Sequence, residues 1–170
     1  MTTPVEDRTT VARSDVATAT LTAGFAAGLL DFAYFSAMSI AQGSSPVRVL
    51  RIIASFWLGA STPRFGGAAL LGLATHFGLS VIMAAGFSAI WLKSAAARGR
   101  TAAAGLIYGA FLYAVMYLVV MPLRWPTVYP RFDGLRSVAD VIIHIAFGLV
   151  IALVLKKHLS FQRRPSVALA

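Results

Sequence analysis

Asp140 and His144 lie one helical turn apart within a hydrophobic stretch long enough to cross a lipid bilayer. Side chains four residues apart in a helix share one face, so this carboxyl group and this imidazole can act together. A titratable side chain in hydrocarbon costs several kcal/mol and is normally retained for an ion pathway, a ligand or a paired contact. Carboxyl and imidazole groups can both bind and release protons. The spacing therefore predicts a buried polar site capable of proton transfer.

Three other hydrophobic stretches carry polar side chains at a comparable depth. Asp31 follows Gly28 by one helical turn, and His76 lies on a stripe of small residues. Tyr113 and Tyr117 share one face of the third stretch. At about 1.5 Å per residue, Asp31 lies near the membrane midplane and the other groups lie between the midplane and the non-cytoplasmic surface. The predicted polar chamber, in the outer half of a helix bundle, consists of Asp31, His76, Tyr113, Tyr117, Asp140 and His144.

Small residues recur at helical spacing in all four stretches. They let helices approach closely in lipid, so we expect these stripes to face one another rather than the acyl chains. In three stretches they lie towards the cytoplasmic side, where tight packing would close the chamber and exclude a continuous pore for large solutes. The glycines predicted to make these contacts are Gly24, Gly28, Gly72, Gly105, Gly109 and Gly148.

Composition independently indicates a membrane protein. Of the 170 residues, 58% are hydrophobic and only 12% are charged, whereas about a quarter of the residues of a soluble domain are charged. The absence of cysteine excludes disulfides, thiolate metal ligands and cysteine nucleophiles. We therefore expect an all-α integral membrane four-helix bundle, with spans at about residues 16–41, 65–92, 101–121 and 135–155.

A further short helix is predicted between the first two spans, over about residues 46–60. Ser45 and Pro46 can begin it, because proline is well suited to the first position of a helix. Arg48 and Arg51 lie beside an apolar face of this segment. Such a pattern is typical of an interfacial helix that lies on the membrane surface.

The chain ends flank a predicted membrane domain of residues 16–157. Residues 1–15 are expected to form a disordered tail and residues 158–170 a basic tail. Both tails and the loop between the second and third spans carry nine Lys or Arg, against six in the other two loops. This bias places both termini of a multi-pass membrane protein in the cytoplasm.

The net charge of +9 does not indicate nucleic-acid binding, because the 15 Lys and Arg are spread over every loop and both tails. We expect membrane lipids as partners, together with either other protein subunits or a second copy of the chain. Four arginines near the predicted mouth of the chamber are candidates for binding an anion or lipid phosphates. They are Arg64, Arg124, Arg131 and Arg136.

Short motifs in three spans carry a family resemblance. They are Gly72-Leu-Ala-Thr-His76 followed by Gly86, Tyr117-Leu-Val-Val-Met-Pro122, and Ser137-Val-Ala-Asp140-Val-Ile-Ile-His144. Together they resemble the YagU-like family of small four-span bacterial inner-membrane proteins, over most of residues 20–157. The resemblance implies the four-span topology and the inner-membrane location, and it supplies no reaction.

Three classes of function remain open. The first is proton- or ion-linked transport or homeostasis, with the Asp and His side chains of the chamber as the relay. The second is a membrane subunit that binds haem b or a divalent metal through His76 and His144, with Asp140 as a further metal ligand. In that case Gly72 and Gly148 would make room for a flat ring. The third is a non-catalytic assembly or lipid-interacting protein whose polar groups specify packing.

An enzyme is not expected, because the sequence contains no nucleophile elbow, phosphate-binding glycine loop or HExxH motif. The first and third classes of function need no cofactor.

Overall fold

The computed structural model describes residues 13–162, apart from the side chains of Ala60, Phe161 and Gln162. This part of the chain is helical and contains no β-strand. Four helical segments are long and apolar enough to cross a membrane, so the predicted all-α four-helix membrane bundle is confirmed. In chain order the α-helices are α1 (Arg13–Ala41), α2 (Pro46–Leu58), α3 (Ala68–Lys93), α4 (Ala95–Gly99), α5 (Thr101–Val115), α6 (Met121–Arg124) and α7 (Leu135–Gln162).

Each of the four spans begins close to its predicted position. Helix α1 begins slightly earlier, at Arg13, and α7 continues past its predicted end to Gln162. Gly43 follows α1 with φ +71°, a left-handed conformation that glycine adopts without strain. Most of the two predicted tails, residues 1–12 and 163–170, lies outside the described residues.

The third span changes its winding near its end. Between α5 and α6, Met116–Val120 forms a π-helical turn, in which the Met121 amide donates to the carbonyl oxygen of Met116. Pro122 accounts for the wider turn, because its ring has no N–H and clashes with the carbonyl oxygen four residues back. The span continues beyond its predicted end at residue 121, and its last residue is Arg124.

Helix α1 lies between two neighbours, α3 and α7, and α5 packs against α7. Glycines make these contacts close. A Cβ atom added at Gly28 would meet the Ser80 hydroxyl of α3, and one added at Gly148 would overlap backbone atoms of Gly105 and Gly109 in α5. The small-residue stripes of α1, α5 and α7 therefore face neighbouring helices, as close helix packing in lipid requires.

The half of the bundle next to the connection between α3 and α5 is closed by apolar packing, and we call it the closed half. Phe87, Ile151 and Leu155 are fully buried there. Tyr108 joins α5 to α3, because its hydroxyl donates to the Met83 carbonyl oxygen at 2.8 Å. The titratable residues of the predicted chamber lie in the opposite half, which we call the polar half.

Helix α2 packs across the end of the polar half. Its Leu50 carbonyl oxygen lies directly against Gly72, where any Cβ atom would overlap it. The indole Nε1 of Trp57 donates to the Thr75 hydroxyl at 3.0 Å. Gly72 therefore accommodates α2, whereas the sequence assigned it to the stripe that faces the other spans. The predicted helix ends at Leu58, and a 3₁₀ turn, Gly59–Arg64, follows it.

Candidate functional site

The first polar contact of the site joins α1 to α3. His76 Nε2 lies 2.9 Å from the Gly28 carbonyl oxygen, and a carbonyl oxygen can only accept. The proton of a neutral His76 is therefore on Nε2, which leaves Nδ1 as an acceptor. Nδ1 lies 4.0 Å from Oδ2 of Asp31. The imidazole thus presents its basic nitrogen to a carboxyl group on the neighbouring span.

The second polar contact joins α1 to α7. The Tyr34 hydroxyl donates to Oδ1 of Asp140 at 3.1 Å. Asp140 is only 8% exposed, so its carboxyl group depends on a protein partner. Tyr34 is absent from the set predicted from the sequence, although its position one turn after Asp31 on the same helix face was a usable signal.

His144 is oriented by its own helix. Its Nδ1 lies 2.8 Å from the backbone carbonyl oxygen of Asp140. By the same reasoning as for His76, a neutral His144 carries its proton on Nδ1 and exposes Nε2 as an acceptor. His144 thus pairs with the backbone of Asp140, whereas the side-chain carboxyl group of Asp140 bonds to Tyr34.

Two tyrosine rings of the third span pack next to His144. The Tyr113 ring packs edge to face on His144, with ring centres 5.5 Å apart. Tyr117 stacks on Tyr113 at 5.0 Å, and its hydroxyl donates to the Arg131 carbonyl oxygen in the last loop. Tyr113 thus belongs with the titratable groups, whereas Tyr117 ties the third span to the loop after α6.

The four arginines predicted at the mouth have different environments. Arg131 is exposed and pairs with Asp133, its Nε lying 2.7 Å from the carboxylate. Arg64 and Arg136 are exposed at the same end of the bundle. Arg124 instead donates through Nε to the Phe56 carbonyl oxygen and through Nη2 to that of Ser55, at 2.7 and 2.6 Å. It thereby holds the last turn of α2, where the Ser55 carbonyl oxygen also accepts the Gly59 amide.

Replacing Arg124 with glutamine is expected to loosen α2, because two charge-assisted hydrogen bonds to its last turn are lost. Hydrogen exchange measured in detergent should become faster over residues 46–64. Arg131→Gln is the matched control, since this exposed side chain bonds only to its neighbour Asp133 among the described residues. Unchanged exchange over residues 46–64 in Arg124→Gln would contradict the capping role.

Gly72 and Gly148 do not provide the space that the haem alternative requires. Within residues 13–162, no group of three or more His, Asp or Glu side chains is placed to hold a metal ion. The space expected beside Gly72 is filled by Leu50, and the space beside Gly148 is filled by the backbone of α5. No room for a flat ring remains at either glycine, so that part of the expectation is wrong.

No family model, curated protein or solved structure matches this chain. The resemblance to the YagU-like family therefore remains a prediction, and any function must be inferred from the site itself. By its four apolar helices the chain is a multi-pass membrane protein.

Proposed function

We propose that this protein carries out proton- or ion-linked transport or homeostasis in the bacterial inner membrane, with both termini in the cytoplasm, as a distant relative of the YagU-like proteins. One observation carries the proposal. Consecutive turns of α1 bear Asp31, which faces His76, and Tyr34, which bonds to Asp140. Titratable groups of three spans are thus brought together at one level of the bundle.

These groups have the chemistry that a proton relay needs. A tyrosine hydroxyl both donates and accepts, so Tyr34 can pass a proton to or from Asp140. On α1, Asp31 lies one turn from Tyr34, about 4.5 Å along the helix axis. The 4.0 Å between Asp31 and His76 Nδ1 exceeds a hydrogen bond, so transfer there requires a bridging water or a change of rotamer.

The tight apolar packing of the closed half favours a coupled transport mechanism over an open channel. Large apolar side chains fill it, and Gly148 lies in backbone contact with α5. A proton that reaches Asp31 can continue towards the other surface only if the helices rearrange. We therefore favour a relay that is exposed to the two surfaces in turn.

A second candidate is a non-catalytic assembly protein. The same polar groups bond across helix interfaces, His76 to Gly28 of α1 and Tyr34 to Asp140 of α7. Interhelical hydrogen bonds of this kind specify packing in membranes. In this case, loss of a polar group would lower the stability of the bundle without changing any proton movement.

Proton flux into liposomes distinguishes the two candidates. The purified protein is reconstituted with a pH-sensitive dye inside, and a potassium diffusion potential drives proton entry; a sodium gradient is tested in parallel. We expect flux above that of empty liposomes, and a fall of about 10²-fold or more in Asp31→Asn, because a positioned proton-transfer group is lost.

Asp133→Asn is the matched control, since it removes an exposed loop carboxylate outside the site. It should leave the flux unchanged. If the wild-type protein moves no protons or sodium, or if Asp31→Asn moves them as fast as the wild type, the transport proposal is wrong.

A further inference from the structure

A groove of about 330 Å³ runs along α2. Arg48, Arg51 and Ile52 form one wall, and the 3₁₀ turn at Thr62 and Pro63 forms the other. This groove lies outside the polar contacts of the candidate site, so its role is independent of the proposed proton relay.

Positive charge accumulates at this groove. Arg48 and Arg51 lie one turn apart, and the ion pairs found among residues 13–162 include neither of them. They lie in the first two turns of α2, where the helix dipole is already positive and no acidic residue compensates it. The Arg124 guanidinium lies next to the same groove, because it donates to the carbonyl oxygen of Ser55, one of the residues that line it.

The groove also lies where lipid head groups are expected. Helix α2 connects the ends of the first two spans, it packs on Gly72 one turn inside α3, and it is bonded to Arg124 at the end of the third span. Two apolar side chains of α2 are exposed as well: Ile52 is 54% exposed and Trp57 is 63% exposed. The surface therefore combines a site for a phosphate with an adjoining surface for an acyl chain.

We propose that this groove binds an anionic phospholipid. The guanidinium groups of Arg48 and Arg51 donate to the phosphate oxygens, and the acyl chain covers Ile52. Guanidinium groups near an anionic membrane surface each strengthen such binding. A free phosphate ion would use only the charged part of this surface and leave the apolar part exposed, so the geometry favours the lipid.

Lipid retention by the protein in a mild non-ionic detergent tests the proposal. Native mass spectrometry counts bound phosphatidylglycerol and, separately, zwitterionic phosphatidylcholine. We expect the double variant Arg48→Gln/Arg51→Gln to lower the affinity for the first phosphatidylglycerol about tenfold or more, with little change for phosphatidylcholine. Neither arginine is buried, so the variant should fold; the single variants Arg48→Gln and Arg51→Gln provide the same readout if it does not.

The control is Lys156→Gln/Lys157→Gln, which removes the same charge from exposed positions at the other end of the bundle. It should retain the lipid. An equal loss in the control would show that the general surface charge binds lipid and would overturn the proposal. Inorganic phosphate is added as a competitor: failure to displace the lipid supports the proposal, whereas displacement at matched concentration would identify a free phosphate site instead.

Discussion

Replacing Gly148 with alanine is expected to destabilise the bundle, whereas the same change at Gly78 is expected to leave it intact. The two glycines lie in different surroundings on apolar spans. A methyl group at Gly148 would overlap the carbonyl oxygen of Gly105 and the backbone of Gly109, and neither can move without shifting α5. A methyl group at Gly78 would meet nothing within 4 Å.

The expected cost at Gly148 follows from this overlap. Overpacking of a close contact typically costs about 1–3 kcal/mol. In Gly148→Leu the larger side chain would force α5 away from α7, and we expect no folded protein to be recovered. At Gly78 the added methyl group restricts the unfolded chain and favours the helix, so Gly78→Ala should be neutral or slightly stabilising.

Thermal unfolding in detergent, followed by size-exclusion chromatography, provides the measurement. Gly148→Ala should lower the midpoint relative to the wild type, and Gly78→Ala should not. Equal midpoints for the two alanine variants would mean that α5 and α7 do not approach as closely as the structure places them.

Removing the Asp140 carboxylate is expected to abolish the proton flux of reconstituted protein. In Asp140→Asn the amide would retain the size of the side chain but could neither bind nor release a proton, so the relay would be interrupted on α7. Tyr34→Phe is expected to reduce the flux strongly, because Asp140 loses the hydroxyl that donates to it at 3.1 Å. The buried carboxyl group would also lose its partner, which costs about 1–3 kcal/mol of stability.

Tyr108→Phe is the matched control for Tyr34→Phe. Both changes remove a hydroxyl that bonds across a helix interface, but Tyr108 bonds to Met83 in the closed half. A structural role alone predicts similar losses of stability and unchanged flux in both variants. The relay predicts a loss of flux in Tyr34→Phe only.

The proposed relay and the proposed lipid groove meet at the end of the polar half. Arg124 bonds to α2, and it ends the span whose Tyr113 packs on His144. The two proposals can nevertheless be tested separately. Arg48→Gln/Arg51→Gln should lose bound lipid, and Asp31→Asn should lose proton flux, so failure of one prediction leaves the other proposal standing.

The interfaces of the site illustrate which features a sequence can predict. His76 and Asp140 were identified because a charged or titratable group in an apolar stretch is visible from the sequence alone. Tyr34, the partner of Asp140, could not be identified in this way, because the rotation of α1 relative to α7 depends on side chains far apart in the chain. Tyr34 and Asp140 are 106 residues apart. The same reason explains why Gly72 was assigned to the wrong neighbour and Arg124 to a lipid-facing role.

The sequence by itself determined the four membrane spans and the glycine stripes. These are local properties: hydrophobic length sets a span, and helical periodicity sets a face. Only the tertiary structure decided that α1 lies between α3 and α7, that Tyr34 bonds to Asp140, and that α2 packs across Gly72 and is held by Arg124. Each of these depends on contacts between distant segments, which form only when the helices pack together in one arrangement.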